Sequence, residues 1–268
     1  MYSSRMPTAT PQPPGFPLAL VTGASSGIGR EVASHLARKG YRTLLVARRV
    51  ERLESLAAAL SAFAPSTPLP ADLSDPRAVE PALRAALCDH GPVSVLINNA
   101  GFGLCRPFLE HSEQDMRRFM EVHYFAAAAL IRVVLPEMLA QGRGHIINIS
   151  SISAKMAPVG HAPYAAAKSA LLSLTQALAA EHAHSGVRFS CVVPGMVRTE
   201  FFDHPSYREL AARHGTRAVE PALVARRIVA LLEHPRLEIC IPRHYRILDF
   251  IKAVSPSWAH RLVAAQSR

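Results

Sequence analysis

Leu18-Ala19-Leu20-Val21-Thr22-Gly23-Ala24-Ser25-Ser26-Gly27-Ile28-Gly29 passes from an unbroken apolar run into a turn carrying three glycines. Leu18–Thr22 has the length and continuous hydrophobicity of a strand buried on both faces of a parallel sheet. From Ile28 onward the apolar residues take helical spacing, so the turn joins a strand to a helix. Glycines let a backbone bend sharply and come close to an anion, and free N–H groups at a helix start attract negative charge. In that setting Gly23, Ser25, Ser26, Gly27, Ile28 and Gly29 read as a cradle for the pyrophosphate of a dinucleotide. The alternative is an ordinary strand-to-helix turn.

The same alternation runs on along the chain. Residues 43–47, 93–98, 144–150 and 187–193 are short, apolar and rich in Val, Ile and Leu; residues 28–39, 50–63, 76–89, 113–141 and 163–185 have helical periodicity. A weaker strand is expected at 67–73, interrupted by Pro68 and Pro70, and a final helix and strand at 221–233 and 239–242. Strand–helix alternation predicts an α/β fold with a doubly wound parallel sheet of the Rossmann type, as a single domain over residues 18–242. Residues 1–17, with five prolines, read as a flexible leader, and residues 243–268 as an amphipathic extension.

The chain has 268 residues, 49% of them hydrophobic, which is ample for a core. Its net charge of +10 is carried mostly by Arg. Such an excess fits nucleic acid, an anionic membrane surface or a phosphorylated cofactor. The arginines are scattered, without a basic run or interleaved aromatics, so nucleic acid is not expected. Four distant cysteines read as thiols of a reducing compartment, and no stretch of eighteen apolar residues marks a membrane span. A cytoplasmic protein is expected.

Arg48 and Arg49 follow the second strand where an NAD enzyme places a carboxylate for the ribose 2′-hydroxyl. Guanidinium groups suit a 2′-phosphate instead, so NADP(H) is the expected cofactor, with Arg48 the main contact and Arg49 its helper. Otherwise both are solvated residues at a helix start. Further on, Tyr164 and Lys168 lie four positions apart and share one face of a helix. A phenol of reference pKa about 10 is a poor acid–base at neutral pH, and a nearby ammonium is expected to lower it. Ser151, just past a strand, is placed to hydrogen-bond a substrate oxygen.

With these residues in view, the sequence resembles the short-chain dehydrogenase/reductase family, in its compact single-domain branch, over residues 18–242. Residues 22–29 match its TGxxxGxG turn, and Asn98-Asn99-Ala100-Gly101 its NNAG motif. Ser151, Tyr164 and Lys168 match its catalytic serine, tyrosine and lysine. Pro194-Gly195-Met196-Val197-Arg198-Thr199 matches PGxVxT, and Asp72-Leu73 stands where the family contacts adenine. The resemblance implies that Tyr164 protonates a carbonyl oxygen as NADPH supplies hydride, or the reverse in alcohol oxidation. Lys168 holds the nicotinamide ribose, and Ser151 positions the carbonyl. Asn99, Ala100 and Gly101 support the adenosine side, while Val197 and Thr199 orient the carboxamide. It also implies a homodimer or homotetramer built through the long helices.

One departure stands out. Counting thirteen residues back from Pro136 gives His123, where the family has an asparagine that bends a helix and holds a relay water. His123 either holds that water, shuttles protons itself because histidine titrates near neutrality, or is merely packed. Residues 200–219 are expected to form a substrate loop, with Phe201, Phe202, Tyr207 and Leu210 apolar and Arg208, Arg213, His214 and Arg217 basic. In the extension, Ile247, Leu248, Phe250, Ile251, Val254, Trp258, Leu262 and Val263 alternate with Arg243, Arg246, Lys252 and Arg261. That pattern suits a lid, a subunit contact or a peripheral membrane contact. The leading expectation is a carbonyl reductase for a ketone or 3-oxo group of a lipid-like molecule. The alternatives are an alcohol dehydrogenase acting on a sterol or hydroxyacyl group, and a non-catalytic NADPH sensor.

Overall fold

The computed structural model describes residues 16–208 and 218–265. In chain order its strands are β1 (Leu18–Thr22), β2 (Arg42–Ala47), β3 (Ser66–Pro70), β4 (Val93–Asn98), β5 (Gly144–Ile149), β6 (Val187–Pro194) and β7 (Glu238–Ile241). The main helices are α1 (Gly27–Arg38), α2 (Val50–Leu60), α3 (Pro76–His90), α4 (Glu113–Met120), α5 (Ala126–Ala140), α6 (Ala162–Glu181) and α7 (Pro221–Ala230). Two more, α8 (Arg246–Val254) and α9 (Pro256–Ala265), follow the last strand. All strands pair in parallel in the order β3-β2-β1-β4-β5-β6-β7.

The continuous apolar runs have a simple cause: both faces of the sheet are covered. Ala19 and Val21 of β1 pack with α1, α2 and α7, whereas Leu18 and Leu20 pack on the opposite side with α3 and α5. Side chains alternate between faces, so a strand with two buried faces has no polar positions to spare. The direction of winding reverses between β1 and β4, which opens a crevice at the carboxyl ends of these strands.

β3 ends at Pro70, not at residue 73 as the sequence predicts, and it survives two prolines because it is an edge strand. Ala71 N–H donates to Ala47 O, so by alternation positions 68 and 70 turn their missing N–H toward the open edge. Asp72 and Leu73 therefore lie in the loop that leaves the sheet.

The helix predicted over 113–141 is continuous but carries a π turn, Glu121–Phe125, between α4 and α5. By length and composition this 28-residue stretch could cross a membrane, contrary to the reading from apolar runs; half of its apolar window is buried, as in a core helix. Leu130, Val134 and Met138 join the core beside Leu96 and Ile146. α6 is fixed by a buried polar chain: Asn98 Nδ2 donates to Asn148 Oδ1 (2.8 Å), and Asn148 Nδ2 donates to Thr175 Oγ1 (2.9 Å).

The C-terminal extension is docked. Lys155 Nζ, almost fully buried, lies 2.7 Å from Glu238 Oε1 on β7 and 2.5 Å from Asp249 Oδ2 on α8.

Candidate active site

Apart from Gly29, the residues expected at cofactor and catalytic positions all line one cavity of about 1680 Å³. That exceeds the 300–1,000 Å³ typical of a single ligand and leaves room for two side by side.

At one end lies the glycine turn. Gly23 (φ +67°) and Gly27 (φ +55°) occupy the left-handed region that favours glycine. Gly29 is packed, not lining: a Cβ there would meet Gly23 O at 2.3 Å and Asn99 Nδ2 at 2.5 Å. Its role is to let α1 close on the turn. Asn99 and Ala100 N–H both donate to Thr22 Oγ1 (2.9 and 3.0 Å), and Asn99 Nδ2 donates to Thr22 O (2.9 Å). The NNAG segment thereby ties β4 to the end of β1.

Arg48 lines the cavity near Asp72, whose carboxyl pKa is raised by partial burial but brought below the usual range by hydrogen bonds from Ser74, and then by the Arg48 and Arg118 charges. Arg49 is held over the turn. Its Nη2 donates to Ser25 Oγ (2.9 Å) and Ser26 Oγ (2.8 Å), and its Nη1 lies 2.7 Å from Glu200 Oε2. The absence of a carboxylate after β2, the Arg49 guanidinium on the serines and Arg48 on the same cavity fit a 2′-phosphate.

At the other end are the catalytic candidates. Ser151 follows β5, and α6 is latched to the same strand end twice. Ser150 Oγ donates to Lys168 O (2.9 Å), and Lys168 Nζ donates to Ile149 O (2.8 Å). Lys168 Nζ stands 5.9 Å from the centre of the Tyr164 ring, and the Ser151 hydroxyl is near enough to the phenol to lower its pKa. All three side chains are buried.

Burial reverses one expectation. The Tyr164 phenol is pushed up to about 12 by desolvation, and the nearby Ser151 hydroxyl only moderates this. The Lys168 ammonium, likewise desolvated, is pushed down to about 8. The ammonium expected to acidify the phenol thus has its own charge weakened by the same low-dielectric pocket. Tyr164 keeps its proton at neutral pH, which is the state of a proton donor.

His123 occupies the middle of the π turn, where the extra residue swings it inward. It is buried, its ring centre 5.3 Å from that of Tyr164. Nε2 lies 2.9 Å from Phe102 O, so this nitrogen carries the proton, and Nδ1 is a buried acceptor with no hydrogen-bond partner among the described residues. Burial first, then Lys168, hold its pKa well below 6.5, against the Phe102 carbonyl. The expectation that it titrates near neutrality is therefore corrected: it is neutral, an acceptor beside the phenol. Gly101 admits the ring, since a Cβ there would meet His123 Cε1 at 2.5 Å.

The substrate side combines apolar side chains with basic ones, among them Arg106, Arg118, His161 and the expected Arg208. Phe201, 5.7 Å from the Tyr164 ring, and Phe202 line the cavity with Met156 and Val159. Tyr207, expected there, is instead fully buried behind Phe201 and Phe202. Leu210, Arg213, His214 and Arg217 lie outside the described residues. The extension closes the wall with Ile247, Leu248 and Val263. Sequence reading missed Phe102, Arg118 and His161 as lining residues, and gave Glu200 only as the start of the substrate loop, without its arginine partners. Phe102 adjoins NNAG and Glu200 adjoins PGxVxT, but no spacing marks either.

The profile of the short chain dehydrogenase family matches residues 17–208. This chain belongs to the short-chain dehydrogenase/reductase family. A Drosophila melanogaster relative, dehydrogenase/reductase SDR family protein 7-like, is 36% identical over 188 residues, 68% of this chain; the chain spans 58% of that relative's length. Among solved structures, a short-chain dehydrogenase from Sphingobium yanoikuyae in complex with NADPH is 30% identical, with a TM-score of 0.79 over 90% of this chain and 95% of its own. A family member from Burkholderia phymatum in complex with NAD is 28% identical, with a TM-score of 0.79 over 90% of this chain and 95% of its own.

Proposed function

We propose that this short-chain dehydrogenase/reductase is an NADPH-dependent carbonyl reductase acting on a ketone or 3-oxo group of a lipid-like substrate. The observation that carries the reading is the single cavity with Arg48 and Arg49 at one end, Ser151, Tyr164 and Lys168 at the other, and an apolar wall opposite. The glycine turn and the arginines fit NADP(H), in keeping with the NADPH-bound neighbour. Bound there, the cofactor supplies hydride to the carbonyl carbon. Tyr164, protonated at neutral pH, donates its proton to the carbonyl oxygen, and Ser151 orients that oxygen. Lys168 lies beneath the phenol and supplies positive charge near the reacting atoms.

The proposal extends to a cytoplasmic homodimer or homotetramer and to peripheral contact with anionic membranes. Ile247, Phe250, Val254 and Trp258 form one stripe on α8 and α9, each more than half exposed. Exposed Arg243, Arg246, Lys252 and Arg261 flank it. The stripe begins at the cavity mouth, because Ile247 also lines the cavity.

The test is NADPH oxidation against ketones, 3-oxoacyl thioesters and steroids, with NADH in parallel. Turnover is expected on apolar ketones with NADPH. Tyr164→Phe should lower it at least about 10²-fold while NADPH binding is kept. NADPH binding without reduction of any of these carbonyls would favour the sensor alternative.

A further inference from the structure

Glu200 is an acidic residue in a corner where an anion is expected. Its Oε2 lies 2.7 Å from Arg49 Nη1 and its Oε1 lies 2.6 Å from Arg52 Nη1. Arg49 stands at the N-cap position of α2 and Arg52 follows within its first turn, so the carboxylate bridges two guanidiniums at the positive end of a helix. The same Arg49 donates to Ser25 and Ser26 of the glycine turn, and Arg48, Arg49, both serines and Glu200 all face the cavity. Nothing local in the sequence pairs these residues: Arg49 and Glu200 are 151 positions apart. A carboxylate held by Arg in this way has the shape and sign of a phosphate edge.

We propose that Glu200 holds the place that the 2′-phosphate of NADP(H) takes against Arg49, making it a determinant of cofactor choice that links the phosphate to the substrate wall. The inference rests on the reading of Arg48 and Arg49 as 2′-phosphate contacts. Magnitude decides the competition. The Arg49 and Glu200 side chains are 42% and 44% exposed, so the pair belongs to the weak, solvent-screened class. A phosphate carries more charge and three acceptor oxygens, and it displaces the carboxylate. A cofactor without the phosphate leaves the pair closed. Glu200 also begins the short turn Glu200–Phe202, whose Phe201 packs against Tyr164. The pair therefore connects the phosphate end of the cavity to the aromatic wall over the proton donor.

Dissociation constants of NADPH and NADH, measured by titration calorimetry on the full chain, test this with three variants. Arg49→Gln should weaken NADPH at least about 10-fold, the range of a charge-assisted bond, with little change for NADH. Glu200→Gln should tighten NADPH by about 3- to 10-fold, the span of an exposed ion pair, and leave NADH unchanged. Glu200→Asp, one methylene shorter and unable to bridge both arginines as Glu200 does, should move NADPH in the same direction and covers a failure of the first variant to fold. An unchanged NADPH-to-NADH ratio in the Glu200 variants, with Arg49→Gln behaving as expected, overturns the competition alone. An Arg49→Gln protein that binds NADPH normally overturns the phosphate reading beneath it.

Discussion

Lys168 illustrates a residue whose function opposes its stability. Its pKa falls from 10.5 to about 8 because the ammonium is buried. Between those values the unfolded chain binds more protons than the folded one, so this residue makes stability rise with pH across that window. Below pH 8 the buried charge is a steady liability. Lys168→Met should therefore stabilise the fold at pH 7 by about 1–3 kcal/mol, a gain that shrinks toward pH 10, while turnover drops at least about 10²-fold. Denaturation midpoints at pH 7 and 9.5 check the sign; a variant less stable at pH 7 refutes it. His123 poses a second question at this scale. Asn can also donate to Phe102 O and present an acceptor, whereas Leu can do neither. His123→Asn should keep activity and His123→Leu lose about 10-fold or more, read as kcat across pH. Equal activity in both variants removes any relay role.

Among the elements, the π turn and the docked extension matter most. An unbroken α-helix over residues 113–140 would carry His123 round by the lost residue, away from the phenol. The extension depends on Lys155, which satisfies Glu238 and Asp249 at once while Lys252 Nζ donates to its carbonyl (2.9 Å). Lys155→Met leaves Glu238 and Asp249 without their shared cation. Hydrogen exchange should then accelerate in α8 and α9, with β1, β4 and β5 unaffected, and KM for an apolar substrate should rise several-fold as the wall loosens. Uniform acceleration across the sheet would show that the extension is an integral part of the core instead.

For the whole molecule, the proposed membrane contact would draw on both the charge of +10 and the exposed apolar stripe. Each basic group near an anionic surface contributes on the order of 1 kcal/mol, and four flank the stripe. Full-length protein should co-sediment with vesicles containing phosphatidylserine more than with neutral ones, and a chain ending before Arg243 should lose the preference. Identical partitioning of the two rejects the membrane contact.

Residues 18–29 and the strand-length runs after them determined the doubly wound parallel sheet, because a strand buried on both faces must be apolar throughout. The meeting of the glycine turn, Arg48, Ser151, Tyr164 and Lys168 on one cavity was likewise legible, since each expected role needs a particular side chain near a particular strand end. Tertiary structure decided what depends on distant neighbours. It set Gly29 as a packing residue, moved Tyr207 behind the wall, and held His123 neutral. It also raised the phenol where a local reading lowered it, because burial is a property of the surrounding fold. The bridge from Glu200 to Arg49 and Arg52 had no signature in the chain at all: β2 and β6 are separated by three strands in the sheet, and these residues meet only because the segment that follows β6 reaches back over the glycine turn to the start of α2.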